Sequence, residues 1–321
     1  MNALLGLVDA VMDRSLVLGY TRIGYRLRRN WWPADPVPGA LTGKAVLITG
    51  GTSGIGKAAA RRCAELGATV HLVGRDAERG QQAVDELERA VPTGKFVLEH
   101  CDLGSSAAVR AFADDFGHRV PALHALVHNA GTMAPERTET AEGHEVTLAT
   151  HVLGPFLLTS LLRPTLRDAP APRIVFMSSG GMYGQPLRDD DPEYRDGDYS
   201  GPGAYARTKR MQVVLAEMWA DEVVRDGIAV HSMHPGWVDT PGVRKYLPRF
   251  RALTRLVIRT PAEGADTMVW LVATDAAQEH PGQFWHDRAP RPTHYLRRTR
   301  ENAGQRARLW KFCSDAVGHA P

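Results

Sequence analysis

The stretch Thr49-Gly-Gly-Thr-Ser-Gly-Ile-Gly56 follows a short apolar run and precedes a segment with helical periodicity. The apolar run, residues 44–50, is typical of a buried parallel strand, and the helical segment, residues 57–67, ends at a glycine. Glycines in such a turn let the chain reverse sharply and approach a pyrophosphate, which the N-terminus of the helix then faces. The stretch therefore predicts a dinucleotide site at the first turn of a βαβ unit, with contacts from Gly50, Thr52, Ser53, Gly54, Ile55 and Gly56.

Strand and helix patterns alternate through the rest of the chain. Apolar runs typical of strands lie at residues 69–74, 96–103, 123–131, 173–179 and 228–236, and helical patterns lie at 76–90, 105–116, 142–166, 205–225 and 262–273. This alternation predicts an α/β fold with a Rossmann-type doubly wound parallel sheet. We expect a single domain over residues 41–290, an N-terminal amphipathic extension over 1–40 and a basic C-terminal tail over 291–321.

The composition is that of a globular protein, with 43% hydrophobic and 23% charged residues. A formal net charge of +3 over 321 residues is too small to indicate nucleic-acid binding. The three cysteines lie far apart and have no metal-ligand spacing, so we expect reduced thiols, a cytoplasmic setting and no metal site. The arginines near both ends of the chain are expected to form solvated faces.

The N-terminal extension begins with an apolar helical stripe, which Asp9 and Asp13 interrupt. This interruption argues against a membrane-spanning helix, which needs about 20 apolar residues. We expect the stripe to pack on the domain or on a partner subunit, and the alternative is that it lies on a membrane surface and makes the protein membrane-peripheral. The stripe consists of Leu5, Val8, Val11, Met12, Leu16 and Val17.

The end of the second strand predicts the type of dinucleotide. An acidic residue at this position would hold the ribose hydroxyls of NAD, but this chain has Gly74-Arg75. Arg75 can instead pair with a 2′-phosphate, and Ser53 can donate to the same group. The pattern therefore favours NADP over NAD. The ends of the third and fourth strands are expected to meet the adenosine and ribose through Asp102, Leu103, Asn129, Ala130 and Gly131.

Tyr205 and Lys209 share one face of a predicted helix because they are four residues apart. A phenol has a pKa of about 10, and a neighbouring cation lowers that pKa so that the proton can move during a reaction. By itself the spacing also fits a surface helix with a solvated lysine.

Taken in order, the motifs TGGTSGIG, CDL, HNAG, SS, YARTK and HPGWVDTPG resemble those of the short-chain dehydrogenase/reductase family over about residues 41–290. Further stretches, among them SSGGM and EGADTMVWL, resemble one animal branch of that family, and this likeness extends into both tails. The resemblance implies hydride transfer between a nicotinamide and a carbonyl or alcohol carbon. It also implies small-molecule substrates and a homodimer or homotetramer, and the alternative is a monomer in which the extensions at both ends cap the contact surfaces.

The resemblance assigns roles to the site residues. Tyr205 would be the general acid, Lys209 would lower its pKa and hold the nicotinamide ribose, and Ser179 would hydrogen-bond the substrate oxygen. The nicotinamide end of the cofactor would meet Pro235, Gly236, Val238 and Thr240. Ser178 is the alternative to Ser179.

Two histidines, His128 and His151, stand where the family has asparagine. The His151 imidazole is a candidate proton relay near neutral pH, and the alternative is a core histidine with satisfied hydrogen bonds. These departures motivate a rival function, an NADP(H)-binding sensor or scaffold with little catalysis. For the enzyme, apolar residues after the last strand predict a lipophilic substrate, although they also fit a helical hairpin: Trp237, Val243, Tyr246, Leu247, Phe250 and Leu253.

Overall fold

The computed structural model of the chain describes residues 3–319. Its strands are Ala45–Thr49 (β1), Thr69–Gly74 (β2), Lys95–His100 (β3), Ala125–His128 (β4), Arg173–Met177 (β5), Ala229–Met233 (β6), Phe284–His286 (β7) and Ala289–Arg291 (β8). They form one sheet in the order β3-β2-β1-β4-β5-β6-β7-β8, parallel as far as β7 and antiparallel between β7 and β8. The prediction of a Rossmann-type doubly wound sheet is confirmed, with one antiparallel strand added at an edge.

Helices cover both faces of this sheet. They are Ala3–Arg14 (α1), Leu16–Tyr20 (α2), Arg22–Arg28 (α3), Gly54–Glu65 (α4), Ala77–Ala90 (α5), Ser106–Arg119 (α6), Val146–Leu148 (α7), Gly154–Arg167 (α8), Gly201–Glu222 (α9), Pro241–Tyr246 (α10), Pro248–Thr254 (α11), Pro261–Ala273 (α12) and Ala303–Val317 (α13). α4, α5 and α12 pack on one face, whereas α6, α8, α9 and α13 pack on the other. Successive residues of β1 point to opposite faces of the sheet. Val46 and Ile48 pack with α4, α5 and α12, whereas Leu47 packs with α6, α8, α9 and α13.

The long helix expected over residues 142–166 is divided. α7 leads into a π-helical turn, Ala149–Leu153, and α8 follows with Pro155 in its first turn. By length and composition the stretch Val146–Arg167 could span a membrane, yet 78% of its most apolar window is buried inside the protein. It therefore serves as a core element of the fold.

Residues 291–321 contribute more than a basic tail. β8 crosses the expected domain boundary, and α13 buries Leu309, Cys313 and Val317 in the core. β7 and β8 have three residues each, which is too short for an alternating pattern, so periodicity does not reveal them in the sequence.

The N-terminal helices are held by ion pairs inside the protein. Arg28 is buried and donates through Nε to Asp9 Oδ1 (2.8 Å) and through a terminal nitrogen to Asp287 Oδ2 (2.9 Å). Arg259 donates to Asp287 at 2.6 Å, and Arg291 pairs with Asp9. We call these five residues the N-terminal ion cluster. The expectation of solvated terminal arginines is wrong for Arg28 and Arg291, because their partners are themselves buried.

The same cluster decides which side of the N-terminal helices faces inward. Asp9 and Asp13 are buried, whereas Val8, Val11 and Val17 are 41%, 60% and 52% exposed. The expectation that the apolar stripe packs on the domain is wrong for these three valines. The two carboxylates turn inward to reach the buried arginines, and the three valines are left outside. Met12 of the stripe is buried as expected, and the side chain of Leu16 lies outside the part that the structure describes.

Candidate active site

The glycine turn after β1 has a backbone that other residues could not adopt without strain. Gly50 and Gly54 have φ of 64° and 53°, in the left-handed region that favours glycine. A Cβ on Gly56 would collide with the Gly50 carbonyl oxygen and with the Asn129 side chain. Asn129 in turn donates through Nδ2 to the Thr49 carbonyl (3.0 Å) and to the Gly50 carbonyl (3.2 Å). The turn is therefore fixed by close packing against the end of β4.

This turn suits an anion. α4 begins at Gly54, and its N-cap, Ser53, makes no side-chain capping hydrogen bond. The first N–H groups of a helix lack intrahelical partners, and the helix dipole places partial positive charge on them. Ser53, Gly54 and Ile55 all line the neighbouring cavity. The turn therefore fits the pyrophosphate of a dinucleotide.

The cavity has a volume of about 470 Å³ and lies at the carboxyl ends of β1, β4, β5 and β6. The sheet order changes direction between β1 and β4, where α/β folds bind ligands. The structure places most of the predicted site residues in this cavity wall: Gly50, Ser53, Gly54, Ile55, Asn129, Ala130, Gly131, Ser179, Tyr205, Lys209, Pro235, Gly236, Val238 and Thr240.

The remaining predicted residues, Thr52, Gly56, Arg75, Asp102, Leu103 and His151, do not line the cavity. Leu103 is buried in the core, whereas Arg75 and Asp102 are exposed where β2 and β3 end. Those two side chains lie at the same edge of the sheet as the cavity, because the carboxyl ends of parallel strands meet there.

The carboxylate nearest to Arg75 is already engaged. Asp76 caps α5 by accepting from the Arg79 N–H at 3.0 Å, and its second oxygen pairs with Arg79 Nε at 3.3 Å. The Arg75 carbonyl accepts from His100 Nε2 at 2.9 Å, which fixes the backbone at this position. The arginine side chain is thus the charged group presented after β2.

Tyr205 and Lys209 lie on α9, with Lys209 Nζ 5.4 Å from the centre of the Tyr205 ring. Burial raises the pKa of Tyr205, and a hydrogen bond with Ser179 opposes that rise. Burial also lowers the pKa of Lys209 to about 7. The net direction for Tyr205 is opposite to the one expected from a neighbouring ammonium, because burial outweighs the lowering contribution. Lys209 Nζ donates to the Met177 carbonyl (2.7 Å) and to Gln212 Oε1 (2.9 Å).

Ser178 and Ser179 have different positions after β5. Ser178 is buried and donates through Oγ to the Lys209 carbonyl at 2.8 Å, whereas Ser179 lines the cavity together with Tyr205. This arrangement favours Ser179 over Ser178 as the residue that meets a substrate.

His151 uses both ring nitrogens inside the protein. Nε2 accepts from the Thr132 N–H at 2.9 Å, so Nδ1 carries the proton and donates to Thr208 Oγ1 at 2.8 Å. Burial lowers the pKa of His151 well below its ordinary value, and the positive charge of Lys209 adds to this effect. The geometry favours a core histidine over a proton relay. His128 is likewise buried, with Nε2 against Thr159 Oγ1 at 2.8 Å and a pKa lowered to about 3 by burial.

Sequence reasoning missed two neighbours of the site. Tyr20 of α2 accepts at its carbonyl from the Trp237 N–H (2.8 Å), and its ring stacks on His234 at 5.1 Å. A Cβ on Gly180 would collide with the same ring, so the N-terminal extension supports the loop after Ser179. Gln212 touches Lys209, and its spacing of three residues on one helix could have indicated this.

Comparison with known proteins identifies the family of the chain. Residues 44–189 match the model of the short chain dehydrogenase family. Dehydrogenase/reductase SDR family member 12 of Bos taurus is 41% identical over 294 residues, which cover 90% of this chain and 91% of that protein. Retinol dehydrogenase 11 of Mus musculus is 31% identical over 281 residues, or 87% of each chain. The Pseudomonas aeruginosa RhlG/NADP active-site complex superposes with a TM-score of 0.63 at 26% identity, covering 77% of this chain and 96% of that one.

The chain therefore belongs to the short-chain dehydrogenase/reductase family, whose members are oxidoreductases that use nicotinamide cofactors on small molecules. Within that family it is similar to SDR family member 12 over most of its length, which confirms the animal branch that the motifs indicated.

Proposed function

We propose that this protein is an NADP(H)-dependent oxidoreductase that interconverts a carbonyl and an alcohol. The observation that supports this most is one cavity that brings Ser179, Tyr205 and Lys209 beside the glycine turn after β1. When bound, the dinucleotide supplies or accepts the hydride.

Three side chains carry out the proton transfer and stabilise the charges that it produces. The raised pKa of Tyr205 keeps the phenol protonated until the substrate oxygen takes its proton. Ser179 donates a second hydrogen bond to that oxygen, and the Lys209 ammonium stabilises the phenolate that remains. In alcohol oxidation the same phenolate accepts the proton.

Turnover with NADPH and NADH, measured side by side on lipophilic aldehydes, ketones and quinones, tests this function. Oxidation of NADPH with any member supports it. Tight cofactor binding without turnover on the whole panel would favour the sensor or scaffold.

The preference for NADP rests on Arg75, since Asp76 is occupied by Arg79. The NADP complex of the similar Pseudomonas protein supports the same choice. Replacing Arg75 with alanine is expected to weaken NADPH binding about 10- to 100-fold and to leave NADH binding unchanged, because a charge-assisted hydrogen bond contributes about 1.5–3 kcal/mol. Fluorescence titration with both nucleotides measures this, and Arg79→Ala is the matched control. Equal weakening for both nucleotides would contradict the assignment.

A lipophilic substrate fits the outer wall of the cavity. α10 and α11 form a helical pair after β6, and Trp237, Tyr246, Leu247 and Phe250 from this region line the cavity. Trp237 and Phe250 meet edge to face at 5.0 Å. The likeness to a retinol dehydrogenase supports the same substrate class.

A membrane surface suits the outward apolar side of the N-terminal helices. Leu7 and Val11 are 65% and 60% exposed there. Arg26 and Arg29 of the same extension are exposed, with no carboxylate partner among the residues that the structure describes. Exposed apolar residues and exposed arginines in the same extension are suited to anionic lipid. We place the protein in the cytoplasm, at such a surface.

Sedimentation with anionic vesicles tests this placement. The double variant Leu7→Glu, Val11→Glu is expected to lose vesicle binding by about tenfold or more, since each removed apolar side chain forfeits about 1.5–3 kcal/mol of burial. Val224→Glu, at a position 61% exposed elsewhere on the protein, is the matched control. If the same pair instead converts a homodimer or homotetramer to a monomer in light scattering, the stripe is a subunit contact.

A further inference from the structure

The ammonium of Lys209 is held inside the fold by neutral oxygens. Nζ donates to the Met177 carbonyl at 2.7 Å and to Gln212 Oε1 at 2.9 Å. Both Lys209 and Gln212 are buried, and no carboxylate pairs with Nζ in the part of the chain that the structure describes. A buried cation with only neutral partners depends strongly on each of them.

The other end of the Gln212 amide reaches a backbone acceptor. Nε2 donates to the His151 carbonyl at 2.8 Å. In a regular α-helix that carbonyl would accept from the residue four positions later, which is Pro155 and has no N–H. The break between the π-helical turn and α8 thus leaves an acceptor that a side chain of α9 satisfies.

The two contacts fix the orientation of the amide. Its oxygen must face the ammonium and its nitrogen must face the carbonyl, because the reverse would set two donors against each other and two acceptors against each other. An amide held in this way cannot pass a proton along the line unless it becomes an imidic acid. The link therefore positions the cation and conducts no protons.

We propose that Gln212 is the positioning residue for Lys209, holding its ammonium beside Tyr205 by bridging it to the His151 carbonyl. This inference rests on the proposed function, in which the Lys209 cation assists proton transfer at Tyr205. It assigns to Gln212 a share in stabilising a buried charge that the Met177 carbonyl also stabilises.

The titratable groups that face Lys209 are Tyr205 on its own helix and His151 across from it. Burial raises the pKa of Tyr205 and lowers the pKa of His151, so both side chains are uncharged near neutral pH. Burial lowers the pKa of Lys209 to about 7. Since the ammonium is the active form, turnover is expected to fall as the pH rises through that pKa.

Two substitutions at one position give opposite expectations. Gln212→Leu removes the acceptor, so the alkaline limb of the rate profile moves to lower pH by about one unit, and kcat at pH 7 falls about fivefold with KM for the carbonyl unchanged. Gln212→Glu sets a carboxylate against the ammonium, so the limb moves to higher pH. Met211→Leu, a buried change on the same helix that does not line the cavity, is the matched control.

A second readout needs no turnover. Acylation of Lys209 by an amine-reactive reagent, followed across pH by mass spectrometry of the free and NADPH-loaded protein, reports the Lys209 ionisation directly. We expect a downward shift for Gln212→Leu and an upward shift for Gln212→Glu relative to Met211→Leu.

The two readouts separate failure of this inference from failure of the proposed function. If no aldehyde, ketone or quinone of the panel is turned over, the proposed function is refuted. The acylation profile would still decide the role of Gln212. Coincident profiles for the Gln212 variants and Met211→Leu would overturn the positioning role. If Gln212→Leu does not fold, the upward shift in Gln212→Glu carries the test, and its absence counts against the proposal.

Discussion

Replacing Tyr205 with phenylalanine is expected to lower kcat/KM for carbonyl reduction by about 10²- to 10⁴-fold, the range that a positioned general acid contributes. The phenylalanine ring keeps the packing of Tyr205 against His151, whose ring centre lies 5.4 Å away. It removes the hydroxyl that would give its proton to the substrate oxygen. Steady-state rates with NADPH measure the loss, and fluorescence titration should find NADPH affinity within a few-fold of the parent protein.

A matched control comes from Tyr194, whose hydroxyl donates to the Asp198 carbonyl at 3.0 Å and whose ring does not line the cavity. Tyr194→Phe should retain the parent rate. Substantial turnover in Tyr205→Phe, at rates near those of the control, would remove the phenol from the reaction and with it the assignment of the general acid.

Replacing Arg28 with methionine is expected to lower the free energy of unfolding by about 3–5 kcal/mol, the usual cost of breaking a buried ion pair on one side. Methionine fills much of the space but removes one arginine partner from Asp9 and one from Asp287, which keeps its contact with Arg259. Urea unfolding followed by tryptophan fluorescence measures the change.

Arg26→Met, on the exposed side of the same helix, should change that free energy by no more than about 0.5 kcal/mol. A loss below about 1 kcal/mol in Arg28→Met would mean that the N-terminal ion cluster contributes little to stability. The same reasoning explains why point substitutions test vesicle binding better than removal of residues 1–40, which would take Arg28 and Tyr20 out of the fold.

The central sheet could be predicted because its signals are local. A buried parallel strand is an apolar run, and the turn after β1 needs glycine at Gly50, Gly54 and Gly56 for reasons of space and backbone conformation. The orientation of α1 could not be predicted in the same way. Apolarity alone places valine inside, but the partners of Asp9 include Arg291, which lies 282 residues away in the sequence. Ion pairs between residues far apart in the chain produce no periodic pattern in the sequence.

The site also has a part that could be predicted from the sequence and a part that could not. The motifs identify Ser179, Tyr205 and Lys209 one at a time, and the structure brings all three to one cavity. What the sequence could not give is the surroundings of the lysine. The bridge through Gln212 depends on the His151 carbonyl, which is set by the packing of α9 against a helix break more than 50 residues earlier. The roles of these residues in a reaction stay predictions until the variants are assayed.

The N-terminal ion cluster has a consequence for synthesis of the chain. Arg28 leaves the ribosome 259 residues before its partner Asp287, an interval of about 13–50 s at ordinary translation rates of about 5–20 residues per second. Throughout that interval the nascent helices lack the charge that draws their polar side inward. The part of the protein that is made first is therefore among the last to reach its final place.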